Sequence, residues 1–105
     1  MSLVECIPNF SEGRDLAKIK EITNSIESVD GITLLDVDPG SDTNRTVVTF
    51  IGNPKAVEKA AFLAIKTASE VIDMTQHEGA HSRIGATDVC PFVPIKDFSD
   101  ILCKF

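Results

Sequence analysis

Residues 45–65, RTVVTFIGNPKAVEKAAFLAI, constrain the fold more than any other stretch of this chain. Arg45 to Ile51 is β-branched and apolar, which reads as a strand. Gly52-Asn53-Pro54 then opens a helix, with Asn53 as N-cap and Pro54 at the first helical position, where a missing N–H costs nothing. Val57, Ala61, Ala64, Ala68 and Val71 recur on one stripe, so the helix runs to about Asp73. A strand that feeds straight into an alanine-striped helix must fold that helix back onto its own sheet at close range.

The other segments extend the pattern. Val4 to Asn9 reads as a strand stopped at Pro8-Asn9, and FSEGR as a polar turn. Asp15 to Glu27 reads as a helix with Leu16, Ile19, Ile22 and Ile26 at helical spacing, broken at Asp30-Gly31. ITLLDVD, from Ile32 to Asp38, is a strand, and PGSDTN a turn. Thr87 to Val93 is a fourth strand. The order β-α-β-β-α-β predicts an α+β fold, the ferredoxin-like split βαβ arrangement, with an antiparallel sheet and both helices on one face. Residues 95–105, IKDFSDILCKF, start a C-terminal helix whose Phe98, Ile101, Leu102 and Phe105 share a face. Exposed, that stripe is a partner surface.

Strand direction in this topology gathers three connections at one end of the sheet: 9–14, 39–45 and 75–86. The three arginines, Arg14, Arg45 and Arg83, all lie in these loops or at strand ends, whereas the helices use lysine. A planar guanidinium fork suits carboxylate and phosphate ligands. In ITLLDVD, alternation puts Leu35 and Val37 on one face and Asp36 and Asp38 on the other, which the helices leave open; Asp88 is a candidate to join them. Those carboxylates face either solvent or a polar cleft.

With 105 residues the chain has room for one small domain, and a formal net charge of −6 argues against a general nucleic-acid or anionic-membrane binder. The longest apolar stretch, Ala56 to Ile72, carries Glu58, Lys59, Lys66 and Glu70, which excludes a membrane span. MSLVECIPNF lacks the basic start and long apolar region of a signal peptide. Cys6, Cys90 and Cys103 have no metal-like spacing, so reduced thiols in a cytoplasmic protein are expected, as small buried hydrophobes.

Residues 77–81, HEGAH, match the H-E-x-x-H signature of zinc peptidases. That signature requires both histidines on one face of a regular helix, with Glu78 activating a bound water. Gly79 costs about 1 kcal/mol in a helix interior. The apolar stripe ends near Ile72, and the chain holds no third histidine. No metal is expected. What remains is a loop in which His81, two residues from Arg83, is suited to general acid–base chemistry beside Asn9, Glu12 and Arg45.

The strings VECIPNFSEGRD, LLDVDPGSDTNRTVVTFIG and HEGAHSRIGATDVCPFVP resemble the N-terminal subdomain of the glutamate formiminotransferase family, also found fused to a cyclodeaminase, over nearly the whole chain. The resemblance implies that residues 1–105 form one of two α/β, ferredoxin-like subdomains, with substrates held between them. It implies transfer of a formimino group between N-formimino-L-glutamate and tetrahydrofolate in histidine degradation, with tetrahydrofolate as a substrate. The catalytic histidine carries over to His81. Asp38 is the candidate orienting carboxylate. Arg83, then Arg45 and Arg14, are candidates for a substrate carboxylate, and Asn9 and Glu12 for either substrate. Ala80 and Ser82 depart from the family pattern, which has Glu and Pro there. The expected partner is a second subdomain or another copy of the chain. The alternative reading is a non-catalytic ferredoxin-like module that binds a folate or other small ligand, or dimerises.

Overall fold

The computed structural model describes residues 3–72 and 86–95; in the second stretch, the side chains of Asp88 and Val89 are not described. Along the chain run β1 (Leu3–Cys6), β2 (Asn9–Phe10), α1 (Leu16–Glu27), β3 (Thr33–Gly40), β4 (Arg45–Gly52), α2 (Pro54–Val71), β5 (Thr87–Val89) and β6 (Phe92–Ile95). The expected strand from Val4 to Asn9 is two pieces, because Pro8 has no N–H to give the ladder. Pro8 interrupts the strand without ending it: its carbonyl still accepts from the Val48 amide at 3.0 Å, and pairing resumes at Asn9. The partner strand breaks likewise between Val89 and Phe92, beside Pro91, and extends to Ile95.

Every pairing in the sheet is antiparallel. β4 runs through the middle, with β3 along one edge and β1 and β2 along the other; β6 flanks β1, and β5 flanks β2. Counting β1–β2 and β5–β6 as one interrupted strand each gives the ferredoxin-like order, with both helices on one face. Beneath them lie Cys6, Phe10, Val48 and Phe50, packed against Ile22 and Ile26 of α1 and Val57, Ala60, Ala61, Ala64 and Ala68 of α2. The alanine stripe is therefore the sheet-facing side of α2. Leu16 does not join its predicted stripe: it is the first residue of α1 and is 66 % exposed, before the helix reaches the sheet.

A bulge in β3 changes one expectation. Leu34 pairs with Phe50 and Asp36 with Thr49, so Leu35 is an extra residue. Leu34 and Val37 consequently pack under the helices, and Leu35 turns to the opposite face with Leu3, Ile51 and Ile95. Leu35 and Val37 do not share a face, because the inserted residue resets the alternation. Asp36 and Asp38 stay together beyond the bulge and are exposed, but the rest of their face is not open: Glu5, Thr49 and Ile51 there are buried.

The helix starts are built locally. Asn53 Oδ1 accepts from the Ala56 amide at 2.9 Å, with Pro54 in the first turn. Asp15 is the N-cap of α1 rather than its first residue, and its Oδ1 accepts from the Ala17 amide at 3.0 Å. Just before it stands the most closely packed of the described glycines. A Cβ on Gly13 would stand 2.2 Å from the Gly40 carbonyl oxygen and 2.6 Å from the Arg45 nitrogen, all backbone atoms. Asn44, at φ 53°, sends its buried Oδ1 to the Gly13 amide at 2.8 Å. Thr46 Oγ1 donates to the Glu12 carbonyl on the same corner.

The predicted C-terminal helix, with Phe98, Ile101, Leu102 and Phe105, lies outside the described residues. Among the described residues, no helix is long and apolar enough to cross a membrane.

Two substitutions test these joints. Asn53→Ala is expected to cost about 1 kcal/mol, read as a lower midpoint in urea unfolding with an unchanged slope. Gly13→Ala is expected to cost more than about 3 kcal/mol, because backbone rather than a movable side chain blocks the methyl. A near-native thermal midpoint for that variant would contradict the packing described.

Candidate active site

The register alone brings four residues together. Asp38 of β3, Val47 of β4 and Asn9 of β2 stand side by side across the sheet. Adjacent strands lie about 4.8 Å apart, so the Asp38 and Asn9 backbones are about 10 Å from each other. Arg45 is two residues from Val47 and returns to the same face. The result is a pocket of about 170 Å³ lined by Asn9, Asp38, Gly40, Thr43, Arg45 and Val47.

Inside it, Arg45 Nη2 donates to Asn9 Oδ1 at 3.2 Å, and Asn9 Nδ2 donates to the Ile7 carbonyl at 3.1 Å. The amide of Asn9 is thus oriented by the strand interruption before Pro8, and in turn fixes the half-buried guanidinium of Arg45. A long side chain held this way loses less entropy when it meets an anion. Asp38 is exposed at the opposite wall. One fixed cation and one accessible carboxylate lining the same cavity make a bipolar pocket, able to take an anionic group at one side and a hydrogen-bond donor or cation at the other.

Arg14 and Glu12 lie at the neighbouring corner and do not line this pocket. Arg14 Nε donates to the Ser41 carbonyl at 2.8 Å, bracing the β3–β4 turn. Glu12 is 2 % exposed, and its Oε2 accepts from the Arg14 and Asp15 amides at 3.1 and 3.0 Å; Lys18 Nζ is 4.0 Å from Oε1. Its carboxylate therefore shapes the entry to α1. His81 and Arg83, together with His77, lie outside the described residues. The segment carrying them rejoins the sheet at this end: the Ala86 carbonyl accepts from the Ser11 amide at 2.9 Å, and Thr87 pairs with Phe10.

Sequence reasoning passed over Thr43, Gly40 and Asn44, which sit inside a turn read only as turn-forming. It also passed over Glu5, fully buried on the face that carries Asp38 and Arg45. The sequence carried no signal for it: alternation between Val4 and Cys6 reads as an ordinary solvent-facing strand position. Among the described residues, no group of three or more His, Cys, Asp or Glu is placed to hold a metal ion.

The chain matches the family model of the formiminotransferase domain, N-terminal subdomain, over residues 3–104. It is 57 % identical over 95 residues to a formimidoyltransferase-cyclodeaminase of Dictyostelium discoideum, covering 90 % of this chain and 18 % of that protein. It is 52 % identical over 101 residues to a glutamate formimidoyltransferase of Streptococcus pyogenes serotype M1, covering 96 % of this chain and 34 % of that protein. A formimidoyltransferase-cyclodeaminase of Mus musculus is 53 % identical over 97 residues, covering 92 % of this chain and 18 % of that protein. The chain thus spans between about a fifth and a third of the length of these relatives. A ferredoxin-like sheet that carries the VECIPNFSEGRD corner and the LLDVDPGSDTNR hairpin at one pocket, matched over nearly its full length, makes this chain a member of the formiminotransferase domain family, corresponding to its N-terminal subdomain.

Proposed function

We propose that this chain supplies the acid–base and carboxylate-binding half of a glutamate formiminotransferase. In that reaction a formimino group passes between N-formimino-L-glutamate and tetrahydrofolate. The observation that carries the reading is the meeting of Asn9, Asp38 and Arg45 at one pocket, at the sheet end where the His81 segment rejoins the fold. The names of the relatives supply glutamate and formimidoyl transfer, and the family resemblance supplies tetrahydrofolate as the other partner.

The pocket's size supports a subsite rather than a whole folate site. At about 170 Å³ it falls below the 300–1,000 Å³ usual for drug-sized ligands. A carboxylate and its adjoining carbons suit it, with Arg45 as the ion partner. The remainder of both substrates needs a facing wall, which a second subdomain or another copy of the chain would provide.

The acceptor amine of tetrahydrofolate attacks the formimino carbon, giving a tetrahedral centre bonded to both nitrogens. His81 takes the proton from the attacking amine and delivers it to the departing glutamate nitrogen, so no net proton is consumed. Asp38 orients the imidazole and stabilises its protonated form. Arg45, with Arg83 and Arg14 as further candidates, fixes the glutamate carboxylates, and the closed cleft keeps water from the formimino carbon. Glu12 and Asn9 serve this arrangement by holding the corner and the guanidinium.

In an enzyme containing both subdomains, His81→Ala is expected to lower kcat about 10²–10⁴-fold, the usual worth of acid–base assistance. Unchanged turnover would overturn the role of His81. Arg45→Ala is expected to raise KM for N-formimino-L-glutamate by about tenfold to a hundredfold with a smaller change in kcat, and Arg45→Lys to recover part of that loss. Equal KM values for all three forms would remove Arg45 from the substrate contacts.

A further inference from the structure

Cys6 and Cys90 are 84 residues apart in sequence, yet their sulfurs are 3.5 Å apart. Cys6 closes β1 and is fully buried under the helices; Cys90 lies between β5 and β6 and is partly accessible. Both sit where their strands are interrupted, and the backbones join there through the Ile7 amide and the Pro91 carbonyl at 3.1 Å. The pairings on either side of the break, Cys6 with Phe92 and Asn9 with Val89, keep one register, so the backbones hold the two cysteines at this diagonal spacing. A disulfide needs the sulfurs to close to about 2.05 Å, a movement of about 1.5 Å. These thiols have no role in the formimino chemistry above.

We propose that Cys90 is a modification site for low-molecular-weight disulfides, with Cys6 as its resolving thiol, so that oxidation joins β1 to the β5–β6 junction. The Cys90 thiolate attacks one sulfur of the disulfide R–S–S–R. One R–S⁻ leaves and takes up the proton that Cys90 gave up, and Cys90 holds R as a mixed disulfide. Cys6 then loses its proton and attacks Cys90 Sγ, forming the Cys6–Cys90 bond and releasing the second R–SH. The protein dithiol is oxidised and one small disulfide is reduced to two thiols.

The order of events follows from access and hydrogen bonding. The hydrogen bond with Cys90, and then burial, hold the Cys6 thiol well above the ordinary thiol range. The same hydrogen bond lowers the Cys90 thiol against the opposing effect of its desolvation. The more accessible sulfur is also the more easily ionised, which is the combination that selects an attacking thiol.

The test uses glutathione disulfide on the folded protein carrying Cys103→Ser. The expected product is lighter by the mass of H₂, and a non-reducing peptide map joins the Cys6 peptide to the Cys90 peptide. In Cys6→Ala, glutathione is expected to remain on Cys90; in Cys90→Ser, Cys6 is expected to stay unmodified until the protein is unfolded. Two results overturn the proposal: both thiols staying free in the folded parent, or glutathione persisting on Cys90 while Cys6 is present. Circular dichroism checks that each variant is folded, and the map of the parent decides the matter if Cys6→Ala is not. The readout is thiol chemistry, so it stands or falls separately from formimino transfer.

Discussion

The approach of Gly13 to the backbones of Gly40 and Arg45 is the constraint on which the functional end of this molecule depends. It clamps the connection leaving β2 onto the β3–β4 hairpin with no side chain between them. Asn44 completes the clamp by giving up ordinary backbone geometry: its left-handed φ turns its side-chain oxygen to the Gly13 amide. The next residue is Arg45. The arginine that reaches the pocket is thus set by the turn that closes the corner, and the Glu12 carboxylate and Thr46 hydroxyl hold the same corner from the helix and strand sides.

Two prolines do complementary work in the strands. Pro8 and Pro91 each withdraw a donor from the ladder, and the strands break at nearly the same level of the sheet. The breaks leave carbonyls available to side chains and neighbouring strands. The Ile7 carbonyl orients Asn9, and the Pro91 carbonyl takes the Ile7 amide. A continuous ladder would have used the same groups for strand pairing alone, leaving the amide of Asn9 free to turn.

Much of the fold was legible because it rests on short-range rules. The Asn53-Pro54 start, the alanine stripe of α2 and the apolar runs of β1, β3 and β4 each carry their own signal. The β3 bulge left none: Leu34, Leu35 and Val37 are all apolar, and only pairing with β4 shows which one is the extra residue. Leu16 was misread for a related reason. Helical spacing identifies a stripe, but the distance between a helix end and the sheet decides whether its first residue is covered. In the candidate site, Asn9, Asp38 and Arg45 were recognisable as residue types suited to the chemistry. Thr43, Gly40 and the buried Glu5 were not, since only strand register and burial bring them into view.

By itself, the sequence determined the element order, the sheet-facing stripe of α2 and the family to which the chain belongs, because cap chemistry, hydrophobic period and long motifs are local properties. Tertiary structure decided which of the chosen polar residues share a pocket, and that two cysteines remote in sequence touch. Those outcomes depend on lateral register between strands, and a shift of one residue would send Asp38 and Arg45 to the opposite face and part Cys6 from Cys90.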